Sequence, residues 1–173
     1  MLAAGSGGVA AYSAAAWTGF GTTVAETTAT LAGLLFVAVS INLRRILEYP
    51  NLPGRAGQTL IMFATPLVVA LFVLVPGQDR AALGWEFAVT GLIIVGAQLW
   101  IDARSGRSDQ ETQLSWVATR VFPVLACCGC VIAAGGSLLA DGGGGLYWLV
   151  PAVLIAIISG LVNAWVLLVE ILR

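Results

Sequence analysis

Residues 146–168 read LYWLVPAVLIAIISGLVNAWVLL, a run of 23 positions without a charge. A helix that crosses a bilayer needs about 20 mostly apolar residues, and this run supplies them. Tyr147 and Trp148 stand at its start, where amphipathic rings favour the headgroup layer. Pro151 falls in the first turn, where its missing amide costs little. Asn163 is the deepest strong hydrogen-bonder of the run. It reads either as a bond to another helix or as part of a polar route.

Moving outward, four more stretches meet the same criterion. They are Thr22–Leu43, Gly57–Val75, Leu83–Ile101 and Trp116–Leu139. Turn and breaker signals separate them: Tyr49 to Gly54, Pro76 to Asp79, Ser105 to Asp109, and Asp141 followed by Gly142 to Gly145. The glycine run opens a loop and carries no lysine, so it reads as a flexible turn and not as a phosphate cradle. The sequence therefore predicts an all-α, polytopic transmembrane bundle of five helices over residues 22–173, preceded by a tail over 1–21. The tail lacks the basic n-region of a secretory signal.

Composition agrees. The chain is 59% hydrophobic and 10% charged, against about a quarter charged in ordinary soluble domains. A soluble helical bundle would need charged outer faces, and these spans lack them. The net charge of −1 offers no basic patch for nucleic acid. Histidine and lysine are both absent. That removes imidazole ligands, imidazole bases and lysine nucleophiles. Cys127, Cys128 and Cys130 lie mid-span with no fourth cysteine, so they read as small buried residues and not as a metal site. No nucleophile-elbow or metalloprotease motif is present. The expectation is a non-enzyme without cofactor or metal.

Arginine placement predicts the topology. Arg44, Arg45, Arg55, Arg104, Arg107, Arg120 and Arg173 fall on one side, and Arg80 alone on the other. Basic residues favour the cytoplasmic side, which puts the N-terminus outside and the C-terminus inside. Trp17, Trp85, Trp100 and Trp116 also sit near span ends.

The first span carries the most polar pattern. Its purely apolar part, Leu31 to Leu43, is too short to cross alone. Glu26, Thr30, Gly33, Val37, Ser40 and Arg44 follow steps of four and three, so they share one helix face. One reading is a lining for water or ions, with Glu26 as a mouth carboxylate. The other is close helix packing. Further intramembrane polar residues are Asn42, Gln58 with Thr59, Glu86 with Thr90, Gln98, Arg120, Asn163 and Glu170. Arg120 either snorkels to the surface or pairs with Asp102 or Glu170. Two small-residue stripes, Ala152-Ala156-Gly160-Ala164 and Gly129-Ala133-Ser137, predict close helix contacts. Pro66 and Pro123 lie inside spans and predict kinks.

The run Gly33 to Leu43 (GLLFVAVSINL) followed by Arg44-Arg45-Ile46-Leu47, together with Leu52 to Ala56 (LPGRA) and Leu74 to Gln78 (LVPGQ), is distinctive. These segments resemble a group of small multi-spanning actinobacterial membrane proteins of unassigned function. Some members are labelled modulators of a membrane protease. The resemblance covers mainly the first two helices and implies a bacterial cytoplasmic membrane. It brings no catalytic residues with it.

Two functions of different class follow. The first is a homo-oligomeric passive conduit for ions or small solutes, lined by the first helix of each copy. The second is a non-catalytic accessory or regulatory subunit of a membrane complex such as a membrane protease. A conduit requires a continuous polar face. An accessory subunit requires a lipid-facing or partner-facing groove.

Overall fold

The computed structural model describes residues 10–49, 52–105 and 121–172. Among them there are helices and turns and no strand. A 3-10 turn at Ala14–Trp17 leads into α1 (Thr18–Ile41), followed by the short α2 (Leu43–Glu48), α3 (Leu52–Leu74), α4 (Arg80–Ser105) and α5 (Phe122–Ala140). A second 3-10 turn at Gly145–Trp148 then opens α6 (Leu149–Leu172). Of these, α1, α3, α4, α5 and α6 are long and apolar enough to span a bilayer. The chain is a multi-pass integral membrane protein with five candidate spanning helices among the described residues.

Local chemistry sets the helix ends. Asp79 caps α4: its Oδ2 accepts from the Ala81 amide at 3.1 Å and its carbonyl from the Leu83 amide at 3.0 Å. The helix therefore starts at Arg80, ahead of the expected Leu83. α1 starts at Thr18, so residues 18–21 belong to the first helix and not to a tail. It stops at Ile41 because Asn42 leaves helical geometry (φ −102°, ψ 12°), its Nδ2 donating to the Ala38 carbonyl at 2.9 Å. Arg44 consequently sits on α2, across a break from the stripe expected to include it. Pro66 lies within a continuous α3. Pro123 is the second residue of α5 as described, and the positions before Val121 that the sequence placed in the same span lie outside the described residues.

Four helices form a ring in the order α3, α4, α5, α6, and α1 lies outside it against α3. Phe87, Val131, Ala134, Leu138, Leu146, Leu149 and Ala156 fill the ring and are essentially inaccessible. Lipid is as apolar as leucine, so such helices are held by close packing and not by a hydrophobic drive between them. The closest approach is α4 on α5. A Cβ on Gly135 would stand 2.6 Å from the Gly84 carbonyl oxygen, and one on Gly91 would stand 2.6 Å from Ile132 Cγ1. Ala152, Ala156 and Gly160 are buried on α6 as the spacing predicts, with Gly160 against the Phe63 ring. The stripe Gly129-Ala133-Ser137 makes no close helix contact within the described chain. Gly129 faces open space, and Ser137 turns to the following loop.

At the Trp17 end the loops form a bonded cap. Trp17 Nε1 donates to the Ala10 carbonyl at 2.9 Å, and its ring meets Phe20 and Tyr147 edge-on at 5.3 and 4.9 Å. The glycine run is not a loose turn. Trp148 Nε1 donates to the Gly143 carbonyl at 2.7 Å, and the Gly145 amide donates to Ser137 Oγ at 2.6 Å. The Gly144 amide reaches the Tyr12 hydroxyl at 3.4 Å. Arg80 pairs with Asp141 and lies 6.0 Å from the centre of the Tyr12 ring. Exposed rings mark both ends of the bundle: Trp85, Tyr147 and Trp148 at this end, Tyr49, Trp100 and Trp165 at the other. Trp85 and Trp100 are separated by roughly 22 Å of helix, short of the hydrocarbon thickness of about 30 Å.

Candidate site: the outward polar face of the first helix

α1 has two unlike faces. Gly21, Val24, Thr28 and Leu35 are buried at helical spacing and lie on the face that packs on α3. Opposite them, Thr22, Thr23, Glu26, Thr27, Thr30, Gly33, Val37 and Ser40 are all exposed. The sequence grouped Glu26, Thr30, Gly33, Val37 and Ser40 on one face, and the fold turns that face away from the bundle. Only 17% of the apolar window of α1 is buried, against 50% for α3. α1 is thus the least enclosed of the five spans.

The hydroxyls on this face are locally satisfied. Thr22 donates to the Thr18 carbonyl at 3.0 Å, Thr30 to Glu26 at 2.8 Å and Ser40 to Phe36 at 2.7 Å. Such back-bonds allow Thr and Ser to face lipid at small cost. Glu26 is different. Among the described residues no donor or cation meets its carboxylate, and its side chain is exposed. Gly21 lies against Leu74 at the end of α3, so Glu26 sits roughly 7 Å deeper along the helix. Measured from Trp17 it is about 13 Å inward. Glu26 therefore lies within the first candidate span. An ionised side chain facing hydrocarbon is costly, about 3 kcal/mol at mid-bilayer on insertion scales.

The other polar residues are distributed through the bundle. Gln98 and Gln58 come together across α3 and α4, with Gln98 Nε2 donating to the Gln58 carbonyl at 3.4 Å. Gln98 Oε1 is buried without a donor. Thr59 is buried, its hydroxyl bonded to the Arg55 carbonyl at 2.8 Å. Glu86 is half-buried and accepts from Gln78 Nε2, and Thr90 is half-buried one turn further on. Asn163 is half-buried in α6, and Arg44 is exposed on α2. Arg120 and the side chains of Asp102 and Glu170 lie outside the described residues.

Within the ring, the void bounded by Thr65, Pro66, Val69, Cys127, Val131, Ala152 and Val153 has no room for a water molecule. The described helices therefore enclose no wet route at that level. The chain also carries an apolar groove between α1 and α6, with a volume of about 220 Å³. Cys127 and Cys128 are buried thiols, and the described residues contain no group of three metal-binding side chains. Tyr12 was missed by sequence reasoning because its partner is a backbone amide 132 residues away, and Ser137 was read as a stripe residue and not as a partner of the following loop. Comparison of the chain with family models, curated proteins and solved structures gives no match.

Proposed function

We propose that the chain is a self-associating membrane subunit forming a passive conduit for ions or small solutes, with α1 of each copy lining it. One observation carries this reading: among the described residues no group pairs with the Glu26 carboxylate, which is exposed on the outward face of the first candidate span. Water on an oligomer axis removes the cost of that charge, and Thr30, Gly33 and Ser40 continue the same face toward the Arg44 end. The filled ring argues for a route between copies and not within one. The test is self-association in mild detergent, read by oxidative cross-linking. Thr30→Cys links copies, whereas Thr28→Cys, which lies on the α3-packing face, and the wild type do not. A monomer that cross-links at neither position removes the self-associating conduit.

The same filled ring favours a second reading. A lone copy conducts nothing, and the outward face can meet a helix of another protein. The chain is then an accessory or regulatory subunit of a membrane complex, such as a membrane protease.

In either case the proposed orientation has Arg44 and Arg45 in the cytoplasm. The exposed Trp17-end cap holds a single arginine, Arg80, already paired with Asp141, which fits the positive-inside rule. A reporter fused after Arg173 is expected to be cytoplasmic. A cysteine at Gly142, an exposed position with room for a side chain, reacts from outside intact cells with an impermeant maleimide. Labelling only after lysis reverses the orientation.

A further inference from the structure

The groove between α1 and α6 lies in the half of the bundle nearer Arg44. Leu34 and Ala38 of α1 line it, with Phe63 of α3 beneath and Leu161, Ala164 and Leu168 of α6 opposite. Leu34, Leu161 and Leu168 are exposed, and within spanning helices such side chains face hydrocarbon. The slot is narrow. Its volume of about 220 Å³ is of a size for part of a single extended chain.

The end of the groove has a different chemistry. Ile46 of α2 is buried in the same apolar cluster as Leu35, Phe63 and Leu167, with Val39 and Ala164 packed against it. α2 is thereby fixed beside the groove floor. The residues preceding Ile46 are Arg44 and Arg45, both exposed, and among the described residues no carboxylate pairs with either. An apolar slot at hydrocarbon depth thus leads to two adjacent cations about six residues further along the chain, at headgroup level. A phospholipid has the same order of chemistry: an acyl chain followed by a phosphate.

We propose that this groove holds one acyl chain of an anionic phospholipid, with its headgroup drawn to Arg44 and Arg45. The site lies beside the outward face carrying Glu26 and does not depend on what that face does.

The test uses the full chain in mild detergent, with phosphatidylglycerol or phosphatidylcholine of identical acyl chains added and retention read by native mass spectrometry. Wild type retains phosphatidylglycerol over phosphatidylcholine, by roughly five-fold for each arginine engaged. Arg44→Gln with Arg45→Gln abolishes the preference. Ala164→Trp fills the slot and lowers retention of phosphatidylglycerol with both arginines in place. Leu34→Trp, on the exposed rim, makes the same test should Ala164→Trp not assemble. Equal retention of both lipids by wild type overturns the proposal. So does undiminished retention in whichever filling variant folds. Cross-linking of Ala38→Cys between two copies also overturns it, because a second copy then occupies the groove.

Discussion

Gly135→Ala is expected to lower stability by about 3 kcal/mol or more, in the upper range of overpacking changes. The added methyl would stand 2.6 Å from the Gly84 carbonyl oxygen and 3.0 Å from the Ala88 amide nitrogen. Both are backbone atoms, so no rotamer change relieves the contact, and α4 must move off α5. Gly160→Ala meets the Phe63 ring at 2.5 Å. A ring can lean, so a smaller loss is expected there, growing with Gly160→Leu. Gly129→Ala is the control on the same helix as Gly135. Its Cβ meets nothing within 4 Å, and alanine favours a helix by about 1 kcal/mol over glycine. The measurement is the unfolding midpoint in a denaturing detergent titration, followed by circular dichroism. A Gly135→Ala protein as stable as Gly129→Ala would mean that α4 and α5 are not in backbone contact.

Glu26→Gln is expected to reduce cation flux several-fold in reconstituted vesicles and to weaken discrimination against anions. A carboxylate on a shared axis raises the local cation concentration. Glutamine keeps the shape and hydrogen-bonding reach but removes the charge. No partner within the described chain depends on the carboxylate, so assembly and helix content should be unchanged. Some flux remains, since Thr30 and Ser40 still line the face. Wild-type vesicles passing no cations, anions or protons would remove the conduit and leave the accessory reading. Flux that is indifferent to Glu26→Gln would keep a conduit but assign its lining to another helix.

The five spans were legible because bilayer thickness imposes a length that few other structures require. Their ends were less so. Asp79 reads as a loop residue until its carboxylate is seen on the Ala81 amide, and that bond moves the start of α4. The face of α1 was also legible, since steps of three and four fix which residues share a side. Periodicity does not say which way that side points. The same limit applies to α5. Gly129, Ala133 and Ser137 do share a stripe, but the stripe that meets α4 is one step round the helix, at Cys128, Ile132 and Gly135. The loop at Gly142–Gly145 was misread for another reason. Four glycines carry no pattern of their own, and the side chains that order them arrive from Tyr12, Ser137 and Trp148.

The bond between Tyr12 and Gly144 joins positions 132 residues apart. A ribosome makes the chain from the first of these toward the second, so α1 enters the bilayer long before its anchor exists. The Trp17 ring finds Tyr147 only when the start of α6 has been synthesised. Meanwhile α3, α4 and α5 can begin the ring without α1, because α1 packs on its outside. Of the five spans, α1 is translated before α3, on which it packs, and its Trp17 end is fastened only when α6 arrives. Even when α3 has joined it, its polar side points away from that contact and is free to meet the α1 of a neighbouring nascent chain.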